Sequence, residues 1–563
     1  MVKPTEMGGP TTAGLAHNVL YASLVCVVVL FSATTVYVRD AGYGGPHHDE
    51  VIALLAAKGM EREYARMLPS GDAPLHRIVP ASAWHDFTHE FTPIAFNEIR
   101  SDVLGHDKHP PLAFWVMNRW LSLFPNSNYQ HAVVLVWLQI LLAGGVLAFT
   151  VLRITRRSGW AVVALALFLA GNSAVFTASW VRQYALFVVL YAVVVLCAAE
   201  LARRNLSNRS FVVWSAAIAL ASLLGMMSQY TFVTMSGPIH LAVLGVLAFR
   251  KRWSRVGILI AAYAAAGGLF FLFLPGALDH VSAVSGGLDR KWQLAAALGA
   301  VPRMYIPLPS SLPVWLTSAA GVAALLVPLI VAMFAIRTSR SSPDDSDPPD
   351  IRVPLAGMLG AGVLQFVLVA VGYFPGWATG ENHLCAFWLL TVLAVTLLLS
   401  HLPRRFAGGI VTVALVAMLG MQGPYVWHLH RILPRVNTSY IASQEPDLIL
   451  VDNLARGFVL QITDVVPPRT PVLATDSMHL ANQLADGSLH GYAKILYLPM
   501  DTTVAQGKAT VIAAAQGGGR RVTELPVVHT GMYEAVLFEA HAQRSDPAPT
   551  KRTVPRSFGQ KNG

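Results

Sequence analysis

The residues best suited to chemistry are His47-His48-Asp49-Glu50, which follow the first long apolar run. Directly after them, Val51-Ile52-Ala53-Leu54-Leu55-Ala56-Ala57 reads as a helix start. Asp49 has two readings there. It is a general base that takes a proton from an incoming hydroxyl, or it caps the helix, where acidic groups suit the positive end of the dipole. His109-Pro110-Pro111-Leu112 opens a second short helix. Proline in a first turn is a start signal and by itself says nothing of catalysis. Arg182, in Ser179-Trp180-Val181-Arg182-Gln183-Tyr184, is the only charge between two apolar runs. An arginine at a membrane edge fits a lipid phosphate, and it equally fits a side chain that snorkels to headgroups. Gln229-Tyr230 marks a further corner, where an aromatic belt explains the tyrosine nearly as well. Arg290, Lys291 and Arg303 lie in the segment 276–312, and Glu381-Asn382-His383 caps another helix end.

His85, Asp86, His89, Glu90, His106 and Asp107 are of metal-ligand type, and His85 and His89 would share a helix face. No ligand motif joins them, so they read as a solvated loop. The chain has no GxGxxG, P-loop or GxSxG, and the glycines at 517–519 read as a surface turn.

The elements that must position these residues are membrane spans. Of 563 residues, 54% are hydrophobic and 13% charged, about half the charge of an ordinary soluble domain. The mean hydropathy is +0.51. This excludes a soluble enzyme, a disordered chain and a disulfide scaffold, and indicates a polytopic membrane protein. The net charge of +10 belongs to cytoplasmic loops rather than to nucleic-acid binding. Cys26, Cys197 and Cys385 lie in apolar runs and form no disulfide framework.

Apolar runs lie near 16–38, 131–152, 160–179, 184–201, 211–229, 233–249, 255–275, 313–336, 352–373, 382–401 and 406–424, about eleven spans. The first reads as a retained helix and not a cleaved signal. With the N-terminus cytoplasmic, the inner connections from Arg153 to Arg405 carry fifteen basic residues and the outer ones four, as the positive-inside rule requires. The run 110–124 is short and interrupted by Asn118 and Arg119, so it reads as an interfacial helix on the outer surface. The stretch 39–130 is then one external loop. The expected organisation is a membrane domain over 1–430, an extracytoplasmic α/β domain over 440–540 and a disordered tail over 541–563. Strands are expected at 447–451, 471–475, 493–498 and 535–538, and a helix at 476–485 capped by Asp476.

Taken in order, these motifs resemble the GT-C superfamily of membrane glycosyltransferases, in its protein O-mannosyltransferase and aminoarabinose transferase branch. The likeness rests on three features. The acidic pair Asp49-Glu50 opens a long external loop after the first helix. His109-Pro110-Pro111-Leu112 leads an aromatic-rich helix ending at Leu123-Phe124. Arg182-Gln183-Tyr184-Ala185-Leu186 is similar to the family's Arg-x-Tyr-x-Leu. It covers roughly residues 1–200. The His47-His48 pair departs from the family pattern and leaves metal dependence open.

The resemblance implies an inverting transferase that moves a sugar from a polyprenyl-phosphate-linked donor to a glycan, lipid or protein hydroxyl on the outer membrane face. It implies Asp49 and Glu50 as the catalytic residues, Asp49 as the carboxylate that takes the proton, with Glu50 or a neighbouring histidine orienting it or binding an ion. Arg182, Tyr184, Arg290 and Lys291 are the candidates for the donor phosphate, by position and charge. His48, His109, Gln229, Tyr230 and Glu381 are candidates for the substrate pocket. No cofactor is required, a divalent metal is left open, and no nucleic acid partner is expected. The implied location is the cell (inner) membrane, with the C-terminal domain outside. The rival is a transporter or lipid flippase, which predicts ionisable residues in mid-span and broken helices.

Overall fold

The computed structural model describes residues 12–43, 46–70, 74–106, 109–278, 385–432, 443–452, 456–499, 505–525 and 536–540, with Asp72 and isolated positions between 298 and 367. Nine of the eleven apolar runs fall on described helices. The runs 313–336 and 352–373 lie outside the described residues, apart from isolated positions, and the tail 541–563 lies wholly outside them.

The bundle helices are α1 (Thr12–Tyr43), α6 (Tyr129–Thr155), α7 (Ser158–Ala170), α8 (Asn172–Ala178), α9 (Tyr184–Leu201), α10 (Asn208–Ser228), α11 (Phe232–Phe249), α12 (Trp253–Phe273), α13 (Cys385–Ser400) and α14 (Arg404–Ile432). Six described helices are long and apolar enough to cross a membrane, and seven if the bent pair α7–α8 is one span. That pair turns by 67° at Gly171, where a Cβ would lie 2.1 Å from Trp388 Nε1. The chain is thus a multi-pass helical membrane protein.

The basic loops converge. Glu200, fully buried at the end of α9, accepts from Arg153 Nε at 2.9 Å and Arg203 Nη1 at 2.8 Å. Arg250 donates to Ala202 O and Arg255 to Leu206 O. These contacts gather the ends of α6, α9 and α11 and the starts of α10 and α12 at one end of the bundle. The turn at 47–50 lies at the other end, against the starts of α6 and α9.

Between α1 and α6 the chain forms α2 (His48–Lys58), α3 (Glu61–Ser70), β1 (Ile78–Pro80), a 3-10 turn (Ala81–Phe87), α4 (Phe96–His106) and α5 (Leu112–Leu121). The α5 helix holds 10 residues and is about 15 Å long, half the hydrocarbon thickness. It does not span.

The C-terminal segment forms β2 (Leu448–Val451), α15 (Arg456–Val465), β3 (Pro471–Ala474), α16 (Ser477–Ala485), β4 (Lys494–Leu498), α17 (Ala505–Gly517), β5 (Arg520–Glu524) and β6 (Val536–Ala540). Asp476 caps α16 as expected, accepting from His479 N at 2.9 Å. The sheet order is β1-β3-β2-β4-β6-β5, with β3, β2 and β4 parallel. Strand β2 is buried on both faces, as an apolar parallel strand should be.

The outermost strand was not expected. β1 comes from the segment between α1 and α6 and pairs antiparallel with β3, Ile78 opposite Leu473. That segment and the C-terminal one therefore share one sheet and one core. Helix α2 joins that core to the bundle. Its Ala53, Leu54, Ala56 and Ala57 pack into the bundle cluster. Its Val51 and Leu55 pack with Ile449, Val459, Leu460 and Val472. A helix buried on two sides must be apolar nearly all round, which accounts for the run from Val51 to Ala57.

Candidate active site at the mouth of the bundle

The start of α2 is closed without Asp49. His47 is the N-cap, in extended backbone at φ −72° and ψ 156°, and its Nδ1 accepts from Asp49 N at 3.3 Å. Glu50 completes a capping box, its Oε2 accepting from His47 N at 2.7 Å. The capping role open to Asp49 is thus filled by its neighbours. The Asp49 side chain is 41% exposed, with Oδ1 3.3 Å from His48 Nε2.

Glu50 has a different environment. It is 3% exposed. Its carboxylate also accepts from Val181 N at 2.7 Å and from Tyr129 Oη at 3.1 Å. One side chain so ties the start of α2 to the start of α6 and to the turn before α9. This is the bonding of a strut.

Arg182 is 8% exposed and does not snorkel. Its Nη1 donates to Asp49 O at 2.9 Å, and its Nη2 lies 3.5 Å from His109 Nε2. The structure therefore brings together three motifs far apart in the chain: the turn at 47–50, His109 at the entry to α5, and Arg182 before α9. Trp180 completes the wall, its ring 4.8 Å from that of His47.

The electrostatics follow from burial. Desolvation pulls the His47 imidazole down to about 4. His48 and Arg182 push it further down, and Asp49 works against them. Burial also lowers His48, opposed by Asp49 and aided by Arg182. Both rings are therefore neutral near pH 7. Neutral imidazoles and a carboxylate are metal donors. Among the described residues, His47, His48 and Asp49 are the one group whose ligand atoms all lie within 4.8 Å of one another. These donors fit a divalent cation in type, while the fixed charge of Arg182, which acts on both histidines, opposes one.

The remaining candidates fall elsewhere. Tyr184 is the first residue of α9 and is buried in its wall. Gln229 is the C-cap of α10 and is buried. Tyr230 stands edge-on to Phe270 at 6.4 Å, in a cluster that includes Leu112, three residues after His109. Arg290, Lys291 and Glu381 lie outside the described residues.

The solvated-loop reading of His85 and His89 needs correction. Their rings stack at 4.2 Å. His85 Nε2 meets Thr463 O at 3.1 Å and His89 Nε2 lies 3.3 Å from Asp464 Oδ1. They form a seam between the segment joining α1 to α6 and α15. His106 Nδ1 lies 3.3 Å from its own helix's Asp102 O, and Asp107 lies outside the described residues.

Three site features escaped the sequence reading. The His47–Glu50 cap had a signal, since a polar residue and a glutamate three apart is capping-box spacing. Tyr129 and Gly457 had none. Gly457, on α15, sits where a Cβ would be 2.7 Å from His48 O.

No family model matches the chain, and no curated protein sequence matches it. Two kinds of solved structure are similar along most of its length. ArnT from Cupriavidus metallidurans bound to undecaprenyl phosphate is 15% identical, over 92% of this chain and 98% of its own, with a TM-score of 0.37. The archaeal oligosaccharyltransferase AglB from Archaeoglobus fulgidus, in complex with an inhibitory peptide and a dolichol-phosphate, is 11% identical, over 94% of this chain and 75% of its own, with a TM-score of 0.44. At these identities and TM-scores neither likeness carries an argument about what the chain does.

Proposed function

We propose that the chain is a GT-C-like inverting glycosyltransferase that takes a sugar from a polyprenyl-phosphate-linked donor. The observation that carries this reading is the division of labour at 47–50. His47 and Glu50 close the helix, so Asp49 keeps a half-exposed carboxylate on a turn whose backbone carbonyl, Asp49 O, is held by the buried Arg182 guanidinium. A carboxylate and a fixed cation on the same turn suit transfer of a sugar from a phosphate-linked donor to a hydroxyl acceptor.

In this mechanism Asp49 removes the proton from an acceptor hydroxyl. The hydroxyl oxygen forms a bond to the anomeric carbon from the face opposite the phosphate. The bond from that carbon to the phosphate oxygen breaks, and polyprenyl phosphate leaves with the electron pair. Arg182 holds Asp49 O and directs its remaining N–H donors to the charge on the leaving phosphate. The clustering of Arg153, Arg203, Arg250 and Arg255 at the opposite end of the bundle supports an outward-facing Asp49 and a cytoplasmic basic face. The C-terminal sheet then lies outside, in the cell (inner) membrane reading. The acceptor is a glycan, lipid or protein hydroxyl.

Asp49→Asn tests the assignment. Transfer from a polyprenyl-phosphate sugar, followed by mass spectrometry, should fall by about 10² to 10⁴. Folded yield and donor binding should hold, because the cap does not use Asp49. Near-normal turnover would sink the assignment.

The transporter or flippase reading has one observation in its favour, the 67° break at Gly171. Asn172, Ser173 and Gln422, which are buried around that region, are uncharged, whereas ion-coupled transport uses ionisable groups at such breaks. Lipid translocation in vesicles that survives Asp49→Asn would favour that reading.

A further inference from the structure

Helix α15 of the C-terminal segment begins against the turn that carries Asp49. A Cβ built on Gly457 would lie 2.7 Å from His48 O, 3.0 Å from His48 Cβ and 3.1 Å from His48 C. Two of these three atoms are backbone, so no rotamer change relieves the contact. Neither side can retreat freely. On α15, Val459 and Leu460 are fully buried in the core that also holds Val51 and Leu55 of α2. At its far end, Thr463 O and Asp464 meet His85 and His89. On the other side, Glu50 and Arg182 fix the turn from below.

We propose that Gly457 is a positioning residue of the site: by lacking a side chain it lets α15 seat on His48 and set where the Asp49 carboxylate stands. The C-terminal segment is then part of the catalytic apparatus rather than an appended module. Residues more than 400 positions apart in the chain meet at this contact. The sheet shared through β1 holds them in register, Val79 opposite Val472.

Gly457→Ala tests this, with a sign that separates positioning from simple stability. Alanine is the better helix former, so a purely helical position would gain stability and keep its turnover. A positioning contact displaced by a few tenths of an ångström should instead cost about tenfold in turnover per folded molecule. Donor affinity should stay near that of the unaltered chain. Gly491→Ala is the matched control, since a Cβ there meets nothing within 4 Å. Leu480→Ala, buried on the opposite face of the sheet, shows what destabilisation alone does: a lower melting temperature with unchanged turnover per folded molecule.

The turnover arm rests on the transferase reading. A second arm does not: modification of histidines by diethyl pyrocarbonate in the full-length membrane protein, read by mass spectrometry. Gly457→Ala should speed modification of His48, because α15 is pushed off it, while Gly491→Ala leaves the rate unchanged. Unchanged His48 reactivity together with full turnover per folded molecule overturns the proposal. Altered reactivity in a protein that transfers no sugar keeps the contact and overturns the transferase reading instead.

Discussion

Replacing Glu50 by glutamine keeps the shape of the strut and removes one acceptor. The carboxylate receives three donors, His47 N, Val181 N and Tyr129 Oη. An amide offers a single oxygen, so its NH₂ must face one of them. The Tyr129 hydroxyl can rotate and accept from that NH₂, but a backbone N–H cannot. With two N–H groups on opposite oxygens, one of them, at His47 or Val181, is left buried and unpaired. A lost bond to a charged group and an orphaned buried donor together cost roughly 2–4 kcal/mol. Thermal melting in detergent should therefore show a clear fall for Glu50→Gln. Turnover per folded molecule should drop far less than for Asp49→Asn. Asp49→Asn should show the reverse pattern, with stability kept and turnover lost. A Glu50→Gln protein that melts normally and yet loses turnover as fully as Asp49→Asn would refute the reasoning and make Glu50 the reacting carboxylate.

Two further outcomes are expected. Arg182→Ala should weaken binding of a polyprenyl-phosphate sugar by about 10- to 100-fold, the worth of one charge-assisted bond. Arg182→Lys should recover only part of this, because one ammonium cannot serve both Asp49 O and a phosphate as a planar fork does; equal affinity in all three proteins would contradict the assignment. The seam on α15 gives a pH test. Burial pushes the Asp464 carboxyl up to about 7, against the pull of Thr88. Burial, then His85 and Lys58, hold His89 down to about 4. A raised carboxyl contributes stability that is full below its usual 3.8 and is lost as pH rises to about 7. A lowered imidazole contributes stability that is full above 6.5 and is lost as pH falls to about 4. In the unaltered chain these slopes oppose within the shared window. Asp464→Asn should expose the histidine slope, with a melting temperature that drops as pH falls from about 6.5 to about 4, and His89→Gln the opposite slope. Parallel melting curves for all three would refute these two opposing slopes.

Much of the membrane part was legible because its signals are local. Spans announce themselves by the length of apolar runs, and nine such runs lie on described helices. Their orientation could be argued from the basic loops because charge next to hydrocarbon is costly. Asp476 as a cap and the strands at 448–451, 471–474 and 494–498 were equally legible, being set by neighbouring residues. The reading failed where residues were judged by type alone. His85 and His89 looked like a solvated loop, but a partner nearly 400 positions away covers them. Residue type also gave no hint that three donors from three segments meet on Glu50.

The sequence by itself determined that this is a multi-pass helical protein, and which residues stand at its polar edges. Hydropathy and charge pattern act over one turn or one span, and a single chain displays them. Tertiary structure alone decided how those edges divide their work. It made His47 and Glu50 the cap and left Asp49 exposed, because Val181, Tyr129 and Arg182 converge on one turn. It also placed Gly457 over His48 and drew Ile78 to Pro80 into the C-terminal sheet. Contacts of such sequence separation depend on how two packed cores meet along α2, and no local pattern encodes that.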